Sequence, residues 1–347
     1  MSNKALVRAK KAKNDEFYTP METVEAGINP HIKHFKGKTV YCNCDNPYYS
    51  NFFKYFAANF NRIGLKKLIA TCYSRQPSLF NEEIPPLLKT PYKAIITNVP
   101  EGIFPDINTL KSLPGNSLEI LKGDGDFRNP ECLELLKRSD MVCTNPPFSL
   151  FREFVNLCET NGKDFFIIGV TVASSYDNCF KMLQKGRLFF EPIKKTKGFI
   201  IPDNHAKKIG FCLYDDNDVK YTNISITSWF ANFDFRINPV KIKPRKNVIY
   251  VPECYPQYDN VKAININTLE DIPSNYFDTM GVPITYLGKH NPDLFDIVGI
   301  SKDVFINGKE LYRLFSENRE YVEYSAISPN MINAIVAVED QRYWDHA

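Results

Sequence analysis

At 347 residues, with 44% hydrophobic and 14% aromatic side chains, the chain can build one large domain and a smaller one, which excludes wholesale disorder. Its 43 lysines and arginines nearly balance 40 acids, so a net charge of +3 excludes a polycation, and nucleic-acid affinity has to come from local clusters. No apolar run approaches the roughly 20 residues of a membrane span, and no hydrophobic region follows the charged N-terminus. Nine cysteines, mostly in apolar stretches, read as small core residues of a reducing, cytoplasmic compartment. Neither Cys42-x-Cys44 nor the five histidines form a metal pattern, so no metal is expected.

Lys4, Arg8, Lys10, Lys11 and Lys13 make a basic head without an acid. It leads through Asp15-Glu16-Phe17-Tyr18-Thr19-Pro20 into a helix predicted over Met21–Ile28. The first strand, 38–43, is β-branched and unalternating, as in a sheet covered on both faces. It ends in Asn43-Cys44-Asp45-Asn46-Pro47, and Ser50 suits the N-cap of a helix with Phe52, Phe53, Phe56 and Phe60 on one stripe. Ligands of open α/β sheets sit at the carboxyl ends of strands, so this turn faces one. A second strand covers 67–73. Residues 74–116 hold seven prolines and a strand-like 93–97, which reads as an ordered insertion. The third strand, 118–123, ends in Asp124-Gly125-Asp126-Phe127, a turn equally suited to opening the helix near Asn129-Pro130-Glu131.

The most informative stretch is the fourth strand, Asp140-Met141-Val142-Cys143-Thr144, running into Asn145-Pro146-Pro147-Phe148. Two prolines hold φ near −65° and donate no hydrogen bond, so the turn is stiff and its carbonyls point outward. The Asn145 side-chain carbonyl, the Pro146 carbonyl and the Phe148 ring together suit a planar heterocycle that carries an amino group. A helix over 149–160, a fifth strand Asp164–Val170, and strands at 187–190 and 224–230 complete the sheet. Segments 199–201 and 211–214 read as a small hairpin. Beyond Asp234, Lys241, Lys243 and Arg245 recur at period two around Ile242, which puts three cations on one face of an extended segment. That face fits a phosphate rail or an edge strand charged against aggregation.

These motifs resemble the EcoRI-type DNA adenine methyltransferases. The resemblance rests on Asn145-Pro146-Pro147-Phe148, Asp15 to Thr19, Tyr41 to Asp45, Ser50 to Phe56, Gly123 to Arg128 and Met280 to Thr285, in the family's order. It implies an α/β, class I S-adenosylmethionine-dependent methyltransferase fold, with a doubly wound, seven-stranded, mostly parallel sheet. Residues 1–235 would be the catalytic domain, with 74–116 as its insertion, and 236–347 a C-terminal α+β target-recognition domain. The implied reaction moves methyl from S-adenosylmethionine to N6 of a flipped-out adenine in a short double-stranded DNA site. Asn145, Pro146 and Phe148 would be catalytic. Tyr18, Thr19, Asp45, Asp126, Phe127 and Asn145 would hold the cofactor, with Asp45 on its ammonium group and Asp126 on its adenine amino group. Lys241, Lys243 and Arg245 would meet DNA, and Trp229 and Phe230 would lend a second aromatic to the base, although core packing suits both at least as well. A monomer is implied, with a cognate restriction endonuclease acting separately or, for an orphan or phage enzyme, none. The first turn lacks glycine and no acid ends the second strand, so the ribose contact is open. Competing substrates are cytosine N4, RNA adenine and protein glutamine; a catalytically silent DNA-binding relative is the non-enzymatic alternative.

Overall fold

Burial dictates the middle of the sheet. In the computed structural model every residue of β1 (Thr39–Cys42) is buried, as a parallel strand covered on both faces requires. The described residues are 17–73, 90–101, 106–193, 198–200, 213–214, 219–222, 227–237, 241–258, 262–291, 293–299, 305–306 and 309–310. The basic head, and residues 74–89 and 102–105 of the 74–116 insertion, lie outside them.

Helix α1 (Met21–Ile28) precedes β1, and α2 (Asn51–Ala58) follows it. The Ser50 hydroxyl accepts from Phe52 N at 3.1 Å, so the predicted cap is in place. Strands β2 (Lys67–Thr71), β3 (Tyr92–Ile96) and β4 (Ser117–Ile120) come next, then α3 (Pro130–Lys137) and β5 (Met141–Thr144). Helix α4 (Phe151–Thr160), β6 (Asp164–Val170), α5 (Asp177–Gln184) and β7 (Phe189–Pro192) continue the alternation. Strands β8 (Phe199–Ile200), β9 (Leu213–Tyr214) and β10 (Lys220–Thr222) precede β11 (Thr227–Ala231).

The central sheet runs β4-β3-β2-β1-β5-β6-β11-β7. Strands β2, β1, β5 and β6 are mutually parallel, whereas β11 is antiparallel to both β6 and β7. This is the expected doubly wound, mostly parallel sheet with one strand more than seven. The addition is β3, which the insertion threads antiparallel between β2 and β4. The expected hairpin of 199–201 with 211–214 is not formed as such. Each segment pairs with β10 instead, whose two edges make a separate three-stranded sheet.

From β1 the chain steps outward to β2, and from β5 it steps to β6 on the other side. The crevice outside the carboxyl ends of β1 and β5 is therefore the topological switch point, where open α/β sheets bind ligands. A large apolar cluster fills both faces of this sheet. A second one, built on Ile264, Ile266, Leu269, Ile272 and Tyr286, lies in the C-terminal part. No helix among the described residues is long and apolar enough to cross a membrane.

Candidate active site

A cavity of about 190 Å³ opens at the switch point and joins the end of β1 to the turn after β5. Asp45 lies at its floor, 6% exposed. Ser50 Oγ donates to Asp45 Oδ1 and Thr144 Oγ1 to Oδ2, each at 2.5 Å. Burial nevertheless pushes the Asp45 carboxyl up to about 6, with the two hydroxyl donors holding it down. A buried carboxylate without a cation is an incomplete ion pair, and an incoming ammonium group would complete it.

Residues 17–19 form an extended strip across one wall. Tyr18 exchanges backbone hydrogen bonds with Ile200 at 3.0 and 2.8 Å, and Asn51 Nδ2 donates to the Thr19 carbonyl at 2.8 Å. The Thr19 side chain is 4% exposed on the cavity wall, and its hydroxyl has no partner among the described residues. Such an orphan donor suits a carboxylate oxygen.

Asn145 faces the same cavity. Its Nδ2 donates to the Phe17 carbonyl at 2.9 Å. A carbonyl can only accept, so this bond fixes the amide: nitrogen toward Phe17, oxygen the other way. Asn145 Oδ1 is then a buried acceptor with no partner among the described residues. Pro147 lines the cavity and Pro146 is buried behind it. Phe148 differs from the open aromatic plate expected of it. Its ring is 5% exposed, stacked on Phe17 at 6.4 Å between centroids and set at 87° to Phe199.

The opposite wall is the 124–128 turn. Gly125 has φ +79°, and a Cβ there would collide with the Cys72 carbonyl oxygen, so only glycine lets this turn lean on the end of β2. Phe127 is 4% exposed, packs edge-to-face on Phe154 and borders the cavity. Asp126 also borders it, but both carboxylate oxygens accept from the Arg128 guanidinium at 2.8 and 2.7 Å. Arg128 reaches on to Glu153 at 2.8 Å, so a ligand's amino group would share Asp126 with that network. At the end of β2, where no acid is available for a ribose, Tyr73 lines the cavity.

One expectation is corrected. Trp229 and Phe230 are 5% and 0% exposed in β11; Trp229 stacks on Phe166 at 4.6 Å and Phe230 on Phe190 at 5.4 Å. Both are core rings, because β11 lies between β6 and β7 and is covered on both faces, so neither can supply a second aromatic to a base. Lys241, Lys243 and Arg245 are exposed while Ile242 packs on the C-terminal cluster, which keeps the cations on the outer side. Ile242 exchanges hydrogen bonds with Lys289 and Asn291, at 2.8 and 3.1 Å, without regular strand structure, and Lys241 pairs with Asp293 at 2.9 Å.

Sequence reasoning missed Phe17, Thr144, Arg128 and Tyr73 as parts of this site, and found Ser50 only as a cap. Thr144 left a signal: a hydroxyl ending a buried strand has to find a partner, and the buried acid after β1 is the one in reach.

Residues 5–338 match the family described as "Adenine-specific methyltransferase EcoRI". Type II methyltransferase M.EcoRI of Escherichia coli is 37% identical over 326 residues, covering 92% of this chain and 97% of that protein. Type II methyltransferase M.MpnI of Mycoplasma pneumoniae is 33% identical over 300 residues, and Type II methyltransferase M.MgeORF184P of Mycoplasma genitalium 32% over 304, each match covering 84% of both chains. No solved structure matches at a significant level.

Proposed function

Because this chain belongs to the EcoRI family of adenine-specific methyltransferases and is an enzyme, we propose that it methylates the N6 amino group of a flipped-out adenine at a short site in double-stranded DNA, with S-adenosylmethionine as methyl donor. The observation that carries this reading is Asn145 Oδ1, a buried acceptor at the carboxyl end of β5, turned away from the carbonyl that holds its amide nitrogen. An exocyclic amino group is the donor it lacks.

The cleft fits the cofactor on its own chemistry. The partnerless Thr19 hydroxyl suits the carboxylate of a methionine moiety, Asp45 its ammonium group, and the wall of Phe127 and Asp126 an adenine ring with its amino group. When bound, S-adenosylmethionine supplies a methyl group on a sulfonium, with a neutral thioether as leaving group.

Inside a duplex the adenine amino group is out of reach of an enclosed cleft, so the base has to leave the stack. Unstacking costs a few kcal/mol, and stacking on one aromatic ring returns roughly 1–3 kcal/mol. Asn145 Oδ1 and the Pro146 carbonyl accept the two amino hydrogens, which draws the nitrogen lone pair out of conjugation and aims it along the cleft. The amino proton becomes acidic only as the nitrogen is alkylated, so no strong base is required. Orientation of two reactants in a stiff frame is the main contribution, and the prolines supply the stiffness.

Exposed Lys241, Lys243 and Arg245 support a phosphate contact outside the cleft, and the separate C-terminal apolar cluster supports target recognition by 236–347 with catalysis in 1–235. Cysteines held as buried free thiols, Cys42, Cys143 and Cys158 among them, suit the cytoplasm. The test is incubation with labelled S-adenosylmethionine and duplex DNA, then identification of the modified nucleoside. Label on adenine N6 supports the reading, whereas label on cytosine, or only on RNA or protein added alongside, sinks it.

A further inference from the structure

One neighbour grips Asp126 by both oxygens. Arg128 Nε donates to Asp126 Oδ1 at 2.8 Å and Nη2 to Oδ2 at 2.7 Å, a planar fork that lysine cannot make. The Arg128 backbone N–H adds a further bond to Oδ1 at 3.0 Å. The same guanidinium reaches onward, with Nη1 donating to Glu153 Oε2 at 2.8 Å and its carbon 5.2 Å from the centre of the Phe127 ring. Glu153 is on α4, where Phe154 also meets the Phe127 ring, so Arg128 ties the 124–128 wall to the helix that leads on from the Asn145 turn. Asp126, Phe127 and Arg128 all line the cavity.

The Arg128 and Glu153 side chains are 44% and 43% exposed, and exposed ion pairs add little to stability. The fork matters more to a ligand. A carboxylate that takes an amino group in a cleft has to keep its plane, and it has to stay ionised once the ligand covers it and water leaves. A fork on both oxygens meets the first need, and the adjacent positive charge meets the second. We propose that Arg128 is the positioning residue through which Asp126 selects the amino group of the cofactor's adenine. This rests on S-adenosylmethionine lying in the cleft with its adenine on this wall. Held ionised, Asp126 is an acceptor only, so it takes an N–H from an amino group and repels the oxygen that hypoxanthine carries at the same position. Without Arg128 the carboxylate has to be fixed anew at each binding event, and the ligand then buries it without its cation.

The experiment uses full-length wild type, Arg128→Met, Arg128→Lys and Asp126→Asn. Calorimetry measures affinity for S-adenosylhomocysteine and for S-inosylhomocysteine, which has an oxo group in place of the amino group, and thermal melts accompany it. The wild type should prefer the adenosyl ligand by about 10- to 100-fold, the range for a hydrogen bond to a charged group. Arg128→Met should bind S-adenosylhomocysteine about tenfold more weakly and S-inosylhomocysteine within about twofold of wild type. Its melting temperature should stay within about 3 °C of wild type. Arg128→Lys, which keeps the charge without the fork, should recover part of the preference. An Arg128→Met variant with the full wild-type preference would show that other contacts place Asp126, and one that binds S-adenosylhomocysteine more tightly would make Arg128 its competitor; either overturns the proposal. So would equal loss of both ligands, which would make Arg128 a brace for the wall as a whole. A wild type that does not distinguish the two ligands, or an Asp126→Asn variant that still does so fully, would instead overturn the placement of the cofactor's adenine on this wall.

Discussion

The hydroxyl of Thr144, the last residue of β5, donates to the carboxylate of Asp45, just past β1, at 2.5 Å. Ninety-nine positions apart in sequence, the two are neighbours only because β1 and β5 pair in parallel at the switch point. This one bond links the strand that ends in the Asn145 turn to the acid that lines the cavity. Burial has lifted Asp45 to about 6, above the ordinary carboxylate range. Between about pH 4 and 6 the folded free protein therefore binds a proton that the unfolded chain does not. The free protein should gain stability as pH falls through 6 and lose that gain as pH rises. Cofactor binding should do the reverse, fading below about pH 6 as the carboxylate is neutralised. Asp45→Asn should raise the melting temperature of the free protein at pH 7.5, with the difference closing toward pH 4, and should abolish cofactor binding. Thr144→Val removes a donor from the ionised form and should weaken cofactor binding at pH 7.5 about tenfold. Calorimetry and thermal melts across pH decide this, and pH-independent binding in the wild type would disprove it.

Gly125→Ala should damage the opposite wall. Its φ of +79° is strained for alanine, and the atom its Cβ would strike is the Cys72 backbone oxygen, which cannot rotate aside. A loss of about 1–3 kcal/mol in stability is expected, with weaker S-adenosylhomocysteine binding because Asp126 and Phe127 move with the turn. An alanine variant that melts and binds like wild type would show that the wall is placed by other interactions.

If Lys241, Lys243 and Arg245 meet phosphates, changing them to glutamine should alter the salt dependence of DNA binding. The slope of log affinity against log salt should become shallower by about 0.9 for each phosphate that is no longer neutralised. Lys241 shares Asp293 and should count for less. Turnover at saturating DNA should hold. An unchanged slope would leave these cations as a charged edge.

The parts of this fold that were legible in sequence are those where one physical demand dominates. The buried parallel strands β1, β2, β5 and β6 read as unbroken apolar runs, and the Ser50 cap and the proline-braced Asn145 turn are local chemistry. What stayed hidden depends on who lies beside whom. The 93–97 segment looked like a strand, but nothing local says that it slips between β2 and β4. Trp229 and Phe230 sit in a strand whose aromatic pattern is the same whether it borders a cleft or fills a core, and neighbours on both sides decided for the core. Phe148 looked like a bare plate because Phe17, 131 positions earlier, could not be seen to cover it. Asp126 was legible as a cavity residue, though its lock on Arg128 was not.

The most direct measurement is nucleoside mass spectrometry of unmethylated duplex DNA treated with S-adenosylmethionine and either the wild type or Asn145→Ala, with S-adenosylhomocysteine binding measured on both. The wild type should yield N6-methyladenine, and the alanine variant none while still binding the cofactor product, because the acceptor for the target amine is gone while Asp45 and the Thr19 hydroxyl remain. N6-methyladenine formed by Asn145→Ala at an appreciable rate would contradict the role given to the partnerless oxygen on which this account is built.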